Sequence, residues 1–169
     1  MTKLLLSLHV LAAIVAVGPI TVAASMFPPS ARKALAEPGS EPAVSSLRLL
    51  HRICRVYGGV GIAVPALGFV TAMSMGVLGD AWLIASMLLT ALAAMVLLAL
   101  VLPRQEEILE GVTAAEPLPG AKGEGPVAVK SAVSVRTTAR LAMFTGVFNL
   151  LWATVTVLMI VRPGSTTGA

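Results

Sequence analysis

The sequence predicts an all-α protein: a four-transmembrane-helix bundle with short cytoplasmic helix extensions. Hydrophobic residues make up 57% of the 169-residue chain and charged residues only 12%, roughly half the charged share of a soluble domain. Four apolar stretches, at residues 4–27, 56–78, 81–102 and 141–161, contain no Asp, Glu, Lys or Arg. Each reaches the roughly 20 residues that a helix needs to cross a bilayer. The whole chain, 1–169, is therefore expected to form a single integral membrane domain.

The distribution of Lys and Arg predicts how these helices are oriented. Two positive residues, Lys3 and Arg162, lie outside the first and last stretches, and none lies between the second and third. The two longer connections carry ten: Arg32, Lys33, Arg48, Arg52, Arg55, Arg104, Lys122, Lys130, Arg136 and Arg140. Positive residues mark the cytoplasmic side, so both termini are expected outside. The net charge of +4 is then explained by topology and by attraction to anionic lipids at the cytoplasmic face, with no nucleic-acid partner.

The first helix is expected to carry its one ionisable residue, His9, on the face that packs in the bundle. His9 shares that face with small and apolar residues at helical spacing: Ala13, Ala16, Ile20 and Ala23. Pro28-Pro29 is expected to end the helix, with residues 30–43 forming a loop. The alternative is that residues 1–24 are a cleavable signal peptide. Cleavage would place five positive residues outside, so retention is favoured.

The second helix is predicted to run unbroken from an N-cap at Ser45 or Ser46 to Leu78, with a narrow stripe of small residues as a packing face. The members of the stripe that we single out are Gly58, Gly61, Pro65 and Gly68. Small residues let helices approach closely in lipid. Pro65 has no N–H, so the carbonyl of Gly61 loses its helical partner. Asn149 of the fourth helix lies at a similar depth, and we expect it to donate to that carbonyl and to pair helices two and four.

The connections at the cytoplasmic side are expected to extend the helices beyond the bilayer. Arg48, Arg52 and Arg55 are predicted to face a glutamate cluster at the end of the third helix: Glu106, Glu107 and Glu110. Residues 112–126 have the composition of a flexible cytoplasmic linker. From Val127 a helical pattern resumes and continues into the last span.

His9 is the first candidate for a binding site, because an ionisable residue within a membrane span is usually functional. Met73, Met75 and Met87 are expected in the same leaflet. Imidazole and thioether together suit Cu(I) or a haem iron. The alternative is that His9 only hydrogen-bonds a neighbouring helix and that the methionines fill gaps in the core.

His51 and Cys54 are the second candidate, three residues apart on one face of the second helix. They could ligate a metal ion or form a thiolate redox site, although a structural metal site wants four ligands. The alternative is a small buried cysteine beside an interfacial histidine. Because His51 lies at the cytoplasmic foot and His9 near the outer surface, the two histidines cannot grip one iron.

Two short motifs resemble a known group of proteins. Residues 8–14 (LHVLAAI) and residues 47–55 (LRLLHRICR), which open a Gly-rich helix, are similar to those of small bacterial four-helix integral membrane proteins of unknown function. That family distantly resembles the copper-resistance protein D group and the bacterial membrane-bound protoporphyrinogen oxidase. The resemblance implies a bacterial cytoplasmic membrane and a role for His9 toward haem b or copper.

These observations leave three classes of function open. The main interpretation is a non-catalytic accessory or a metal- or haem-linked membrane component, acting as a homo-oligomer or in a larger membrane complex. The alternative is a haem-dependent oxidoreductase that acts on a lipophilic substrate through His9. A small permease is the third class, and the absence of carboxylates from the four apolar stretches disfavours it, because ion-coupled carriers usually place them at the midplane.

Overall fold

A computed structural model describes the backbone of residues 2–114 and 127–164, and the side chains of 2–114 and 136–164. Every regular element in this part of the chain is helical: α1 (Thr2–Ala36), α2 (Glu41–Val60), α3 (Ala63–Met75), α4 (Ala81–Met95), a π-helical turn (Val96–Val101), α5 (Leu102–Ala114) and α6 (Val127–Val161). These elements form four long helical segments, which we call rods. The first rod is α1, the second is α2 with α3, the third is α4 with the π-helical turn and α5, and the fourth is α6. All four rods are long and apolar enough to cross a membrane. The prediction of an all-helical chain with four such helices is confirmed.

The bundle has two unlike ends, which we name by charge. The basic end carries Arg32, Lys33, Arg48, Arg52 and Arg55, and the opposite end carries the tight turn at residues 76–80 and Arg162. At the basic end the helices continue well past the apolar stretches. Of the predicted linker 112–126, the first three residues belong to α5 and the others lie outside the described residues.

The first rod does not end at Pro28-Pro29, so the predicted loop over residues 30–43 is wrong. α1 continues through both prolines to Ala36, and only residues 37–40 separate it from α2. The small side chains of Ala31 and Ala34 are buried in the same core cluster as Ala43 of α2. This close packing of alanine faces stabilises the extension, and tertiary contacts of this kind let helices tolerate proline.

The second rod is not one continuous helix, and it begins earlier than predicted, with Ser40 at the N-cap of α2. A turn at residues 61–62 separates α2 from α3. Within it the N–H of Gly61 donates to Tyr57 O at 2.7 Å, and Gly61 O accepts from the N–H of Val64 at 3.1 Å. Pro65 cannot supply the usual donor, so the chain tightens by one residue and satisfies the carbonyl locally.

The predicted pairing of Asn149 with the second helix is therefore wrong. The carbonyl of Gly61 already has a donor, and Asn149 instead donates from Nδ2 to Ser25 Oγ of α1 at 3.1 Å. α6 packs mainly against α1 and α4. The fourth rod thus lies on the first and third, across the bundle from the second.

The core is unevenly distributed along the bundle. One large cluster reaches from mid-bundle to the basic end, whereas the opposite end has a small cluster of Ala72, Trp82 and Leu83. Near that end α3 packs on α1 and α4 packs on α6. Between α3 and α4 lies an apolar groove of about 540 Å³, lined by Phe69, Leu78, Ile84, Met87, Leu88 and Ala91.

Candidate functional site

His9 makes a specific contact between the first and second rods. Its Nδ1 lies 3.0 Å from the carbonyl oxygen of Val64, 55 residues further along the chain. A carbonyl only accepts, so Nδ1 must carry the hydrogen. In a neutral imidazole the other nitrogen, Nε2, is then left with its lone pair. This is the hydrogen bond to a neighbouring helix expected of the alternative interpretation, and it also orients the nitrogen that a metal would need.

Gly68 provides the space for the imidazole ring. A Cβ at this position would lie 2.9 Å from Cε1 of His9 and 3.3 Å from Nδ1, closer than atoms in proteins normally approach. Val64 and Gly68 are one helical turn apart, so they present a carbonyl and a gap on the same face of α3. A glycine is needed here because the ring rests on the backbone of the helix.

The other members of the predicted stripe are divided between two partners. Gly58 is buried, and a Cβ there would meet Leu97 of the π-helical turn at 3.6 Å. Gly61 lies in the turn, and Pro65 is exposed. Because the break at residues 61–62 splits the stripe, Gly58 faces the third rod and Gly68 faces α1.

The predicted methionines are not gathered around His9. Met73 and Met87 are 57% and 45% exposed on the surface of the bundle. Met75 lies seven residues beyond Gly68, about 10 Å along the axis of α3. Met87 lines the apolar groove between α3 and α4.

A buried polar bridge joins α2 to α5 near the basic end. His51 Nδ1 donates to Gln105 Oε1 at 3.3 Å, and Gln105 Nε2 donates to Cys54 Sγ at 3.6 Å. Gln105 and Cys54 are both completely buried. The amide of Gln105 therefore engages Nδ1 of His51 and Sγ of Cys54 and holds the two side chains in one hydrogen-bonded chain. A buried cysteine of this kind is usually inert.

Gln105 was not among the residues that the sequence singled out. The signal in the sequence is the helical spacing that Gln105 shares with the apolar residues Val101, Ile108 and Val112, all of which are buried. What could not be foreseen is the π-helical turn at Val96–Val101, immediately before α5. A π-helical turn adds one residue to the helix and so rotates every later side chain, which decides that residue 105 faces inward.

Charged side chains at the basic end do not form the predicted ion pairs. Arg48, Arg52 and Arg55 are exposed, as are Glu106, Glu107 and Glu110. Among the residues whose side chains are described, the polar contact between α2 and α5 is the bridge through Gln105. The arginines lie to one side of the buried face of α2, which is formed by Leu47, Cys54 and Gly58.

Two arginines instead lie over aromatic rings. The guanidinium of Arg104 is 4.9 Å from the centroid of Phe144, and that of Arg162 is 5.5 Å from the centroid of Trp82. Trp82 also donates from Nε1 to Asp80 Oδ2 at 3.0 Å. At the opposite end these contacts tie the tip of α6 to the start of α4.

The described residues form a helical bundle of membrane-spanning dimensions. His9 lies at the contact between α1 and α3, and the buried polar bridge of His51, Gln105 and Cys54 lies between α2 and α5. Within the described ranges, no group of three or more His, Cys, Asp or Glu side chains is placed to hold a metal ion. Comparison of the chain with protein-family models, with curated proteins and with solved structures found no match. The resemblance to the bacterial four-helix family stays a prediction.

Proposed function

We propose that this protein is an integral membrane component, without catalysis of its own, that holds a copper ion or a haem through Nε2 of His9. The observation that supports this proposal is the hydrogen bond from His9 Nδ1 to Val64 O. Histidines that ligate metals almost always donate their other ring N–H to a carbonyl or a carboxylate, which fixes the tautomer and the ring orientation. His9 has this arrangement within a span that otherwise lacks ionisable side chains.

The chemistry of the single nitrogen limits what this chain does alone. A neutral imidazole suits Cu(I) or serves as one axial ligand of haem b. Gly68 closes one face of the ring, so a ligand approaches Nε2 from the remaining sides. Because the four apolar stretches contain one histidine, His9, a second ligand at its depth would come from another molecule. This favours action as a homo-oligomer or in a larger membrane complex.

We also propose a bacterial cytoplasmic membrane as the location, with both termini outside and anionic lipids at the basic end. The support is the count of ten Lys and Arg against two and the exposure of Arg48, Arg52 and Arg55. Exposed basic side chains near the membrane surface attract anionic headgroups by about 1 kcal/mol each.

The ligand is tested by optical spectra and metal analysis of protein purified in mild detergent. We expect a Soret band or stoichiometric copper in the wild type and its loss in His9→Gln, which keeps a donor for Val64 O but removes the imidazole. His51→Gln is the matched control and should retain the ligand. A wild-type protein with neither haem nor copper after expression with both would overturn the proposal. Turnover of a lipophilic substrate by the loaded protein would favour the oxidoreductase alternative.

The orientation is tested by labelling cysteines in a Cys54→Ala background. Gly79→Cys, at the opposite end, should react with an impermeant maleimide in intact cells. Glu37→Cys, in the turn at the basic end, should react only after permeabilisation. The reverse pattern would show that the termini are inside.

A further inference from the structure

The contact between α1 and α6 around Ser25, Thr145 and Asn149, which we call the seam, contains polar atoms that have no hydrogen-bond partner in either helix. Asn149 donates from Nδ2 to Ser25 Oγ at 3.1 Å, but its Oδ1 is buried and has no hydrogen-bond partner. Whichever way the amide is turned, one of its polar atoms meets Ser25 and the other is unpaired. Leaving such an atom unsatisfied in a buried place is destabilising, because the atom has given up its hydrogen bonds to water.

Thr145 adds a second unpaired atom one turn away on the same face of α6. Its side chain is 3% exposed, and its Oγ1 has no partner. Other hydroxyls in the bundle donate to the carbonyl four residues back, as in Thr71 to Leu67 of α3, Ser86 to Trp82 of α4 and Thr154 to Leu150 of α6. The hydroxyl of Thr145 is not used in this way, so it is available to something in the seam.

The facing part of α1 has an excess of acceptors. Pro28 and Pro29 lie inside the helix and have no N–H, so the carbonyls of Ala24 and Ser25 lose the donors that a regular helix would supply. Ser25 is the residue that Asn149 contacts. The seam therefore brings together freed carbonyls on one helix and unpaired side-chain oxygens on the other.

The chemistry of these groups selects the ligand. A cation would require a compensating charge, and the four apolar stretches contain no carboxylate; an unpaired charge in an apolar interior is very costly. Water supplies two donors and two acceptors, and buried waters typically make about three hydrogen bonds to otherwise unsatisfied groups. Side chains four apart on a helix are about 5–6 Å apart at Cβ, so Thr145 and Asn149 are neighbours on the surface of α6.

We propose that the seam between α1 and α6 is a binding site for a single water molecule, held between Asn149 Oδ1 and Thr145 Oγ1. This water accepts from the hydroxyl of Thr145 and donates one hydrogen to Asn149 Oδ1. Its second hydrogen is donated to a freed carbonyl of the double-proline segment of α1, so the water joins α1 to α6. The site is separate from His9, which contacts α3. It stands whether or not His9 binds a metal.

The test is the sign of the stability change in Thr145→Val, which keeps the shape of the side chain and removes the hydroxyl. If a water is bound, the variant removes one of its hydrogen-bond partners, and we expect the midpoint of thermal unfolding to fall by about 2–4 °C. Asn149→Leu should have a similar effect, and the double variant should be little worse than either single one because both remove the same water. Thr154→Val is the matched control, since its hydroxyl is exposed and bonds its own helix, and its midpoint should hardly move.

A second measurement locates the water in the unaltered protein. In bilayer-reconstituted samples, water-to-protein magnetisation transfer in solid-state NMR should reach the side chains of Thr145 and Asn149, and should be lost from Asn149 in Thr145→Val. Three results would overturn the proposal. A higher unfolding midpoint in Thr145→Val would show that no water lies between α1 and α6. A change no larger than that of Thr154→Val would show that the hydroxyl of Thr145 is bonded to its own helix. Additive effects of Thr145→Val and Asn149→Leu would show that the two residues share no ligand.

Discussion

The two halves of the bundle are held together differently. Toward the basic end the rods converge on one continuous core that includes Phe27, Leu47 and the buried bridge through Gln105. Toward the opposite end the rods pack in two pairs, and an apolar groove separates α3 from α4. In lipid no hydrophobic drive brings helices together, whereas outside the bilayer apolar burial does so. Stability is therefore expected to be concentrated toward the basic end, where the continuous core combines close packing within the apolar stretches with apolar burial in the helix extensions beyond them.

The largest expected difference between the halves is in the cost of removing a phenylalanine ring. Phe27 is completely buried and Phe69 is 45% exposed in the groove. Phe27→Ala should lower the free energy of unfolding by about 3–5 kcal/mol, and Phe69→Ala by about 0.5 kcal/mol or less. Reversible unfolding in mixed micelles measures both. Equal costs would show that the groove is packed in the folded protein.

The bridge at the basic end gives the next largest effect. Gln105→Leu keeps the approximate size of the side chain but leaves the ring N–H of His51 without its acceptor, and should cost about 1–3 kcal/mol. Glu106→Gln, at the exposed neighbouring position, is the control and should be close to neutral. The Cys54 thiol should resist alkylation in the wild type and react faster in Gln105→Leu. Rapid alkylation of the wild type would mean that α2 and α5 separate readily.

The contact of His9 with α3 is tested by filling the gap at Gly68. Gly68→Ala places a Cβ 2.9 Å from the imidazole and should cost about 1–3 kcal/mol through overpacking. At Gly59 nothing lies within 4 Å of an added Cβ, so Gly59→Ala should be neutral or slightly stabilising. In a His9→Ala background the penalty of Gly68→Ala should disappear. A penalty that persists there would show that some other group fills the space.

The smallest effect is expected at the tip of the opposite end. Asp80→Ala removes the acceptor of the Trp82 indole N–H and should cost about 0.5–1.5 kcal/mol. Trp82→Phe removes the donor instead, and the two changes combined should cost less than their sum because they break the same bond. Strictly additive effects of the two changes would show that this hydrogen bond is not formed in the folded protein in solution.

The fold was largely predictable because its signals are compositional. Four apolar stretches free of charge, with Lys and Arg confined to the connections, predict four helices whatever their partners are. The site was predictable only in part. His9 was identified from its position within a span, but the carbonyl of Val64 and the gap at Gly68 are properties of another helix. Gln105 was missed because its inward direction depends on the π-helical turn before it.

By itself the sequence determined the number of helices, their approximate bounds and the separation of a basic end from an opposite end, because length, hydropathy and charge are local properties. Only the tertiary structure decided that α1 passes through Pro28-Pro29, that the second rod breaks at residues 61–62, and that Asn149 meets Ser25. In each case the local preference is weak or ambiguous. The outcome depends on which atoms satisfy a backbone group or fill a gap. For the extension of α1 and for Asn149 these atoms lie on other helices, and for the carbonyl of Gly61 the donor is the N–H of Val64.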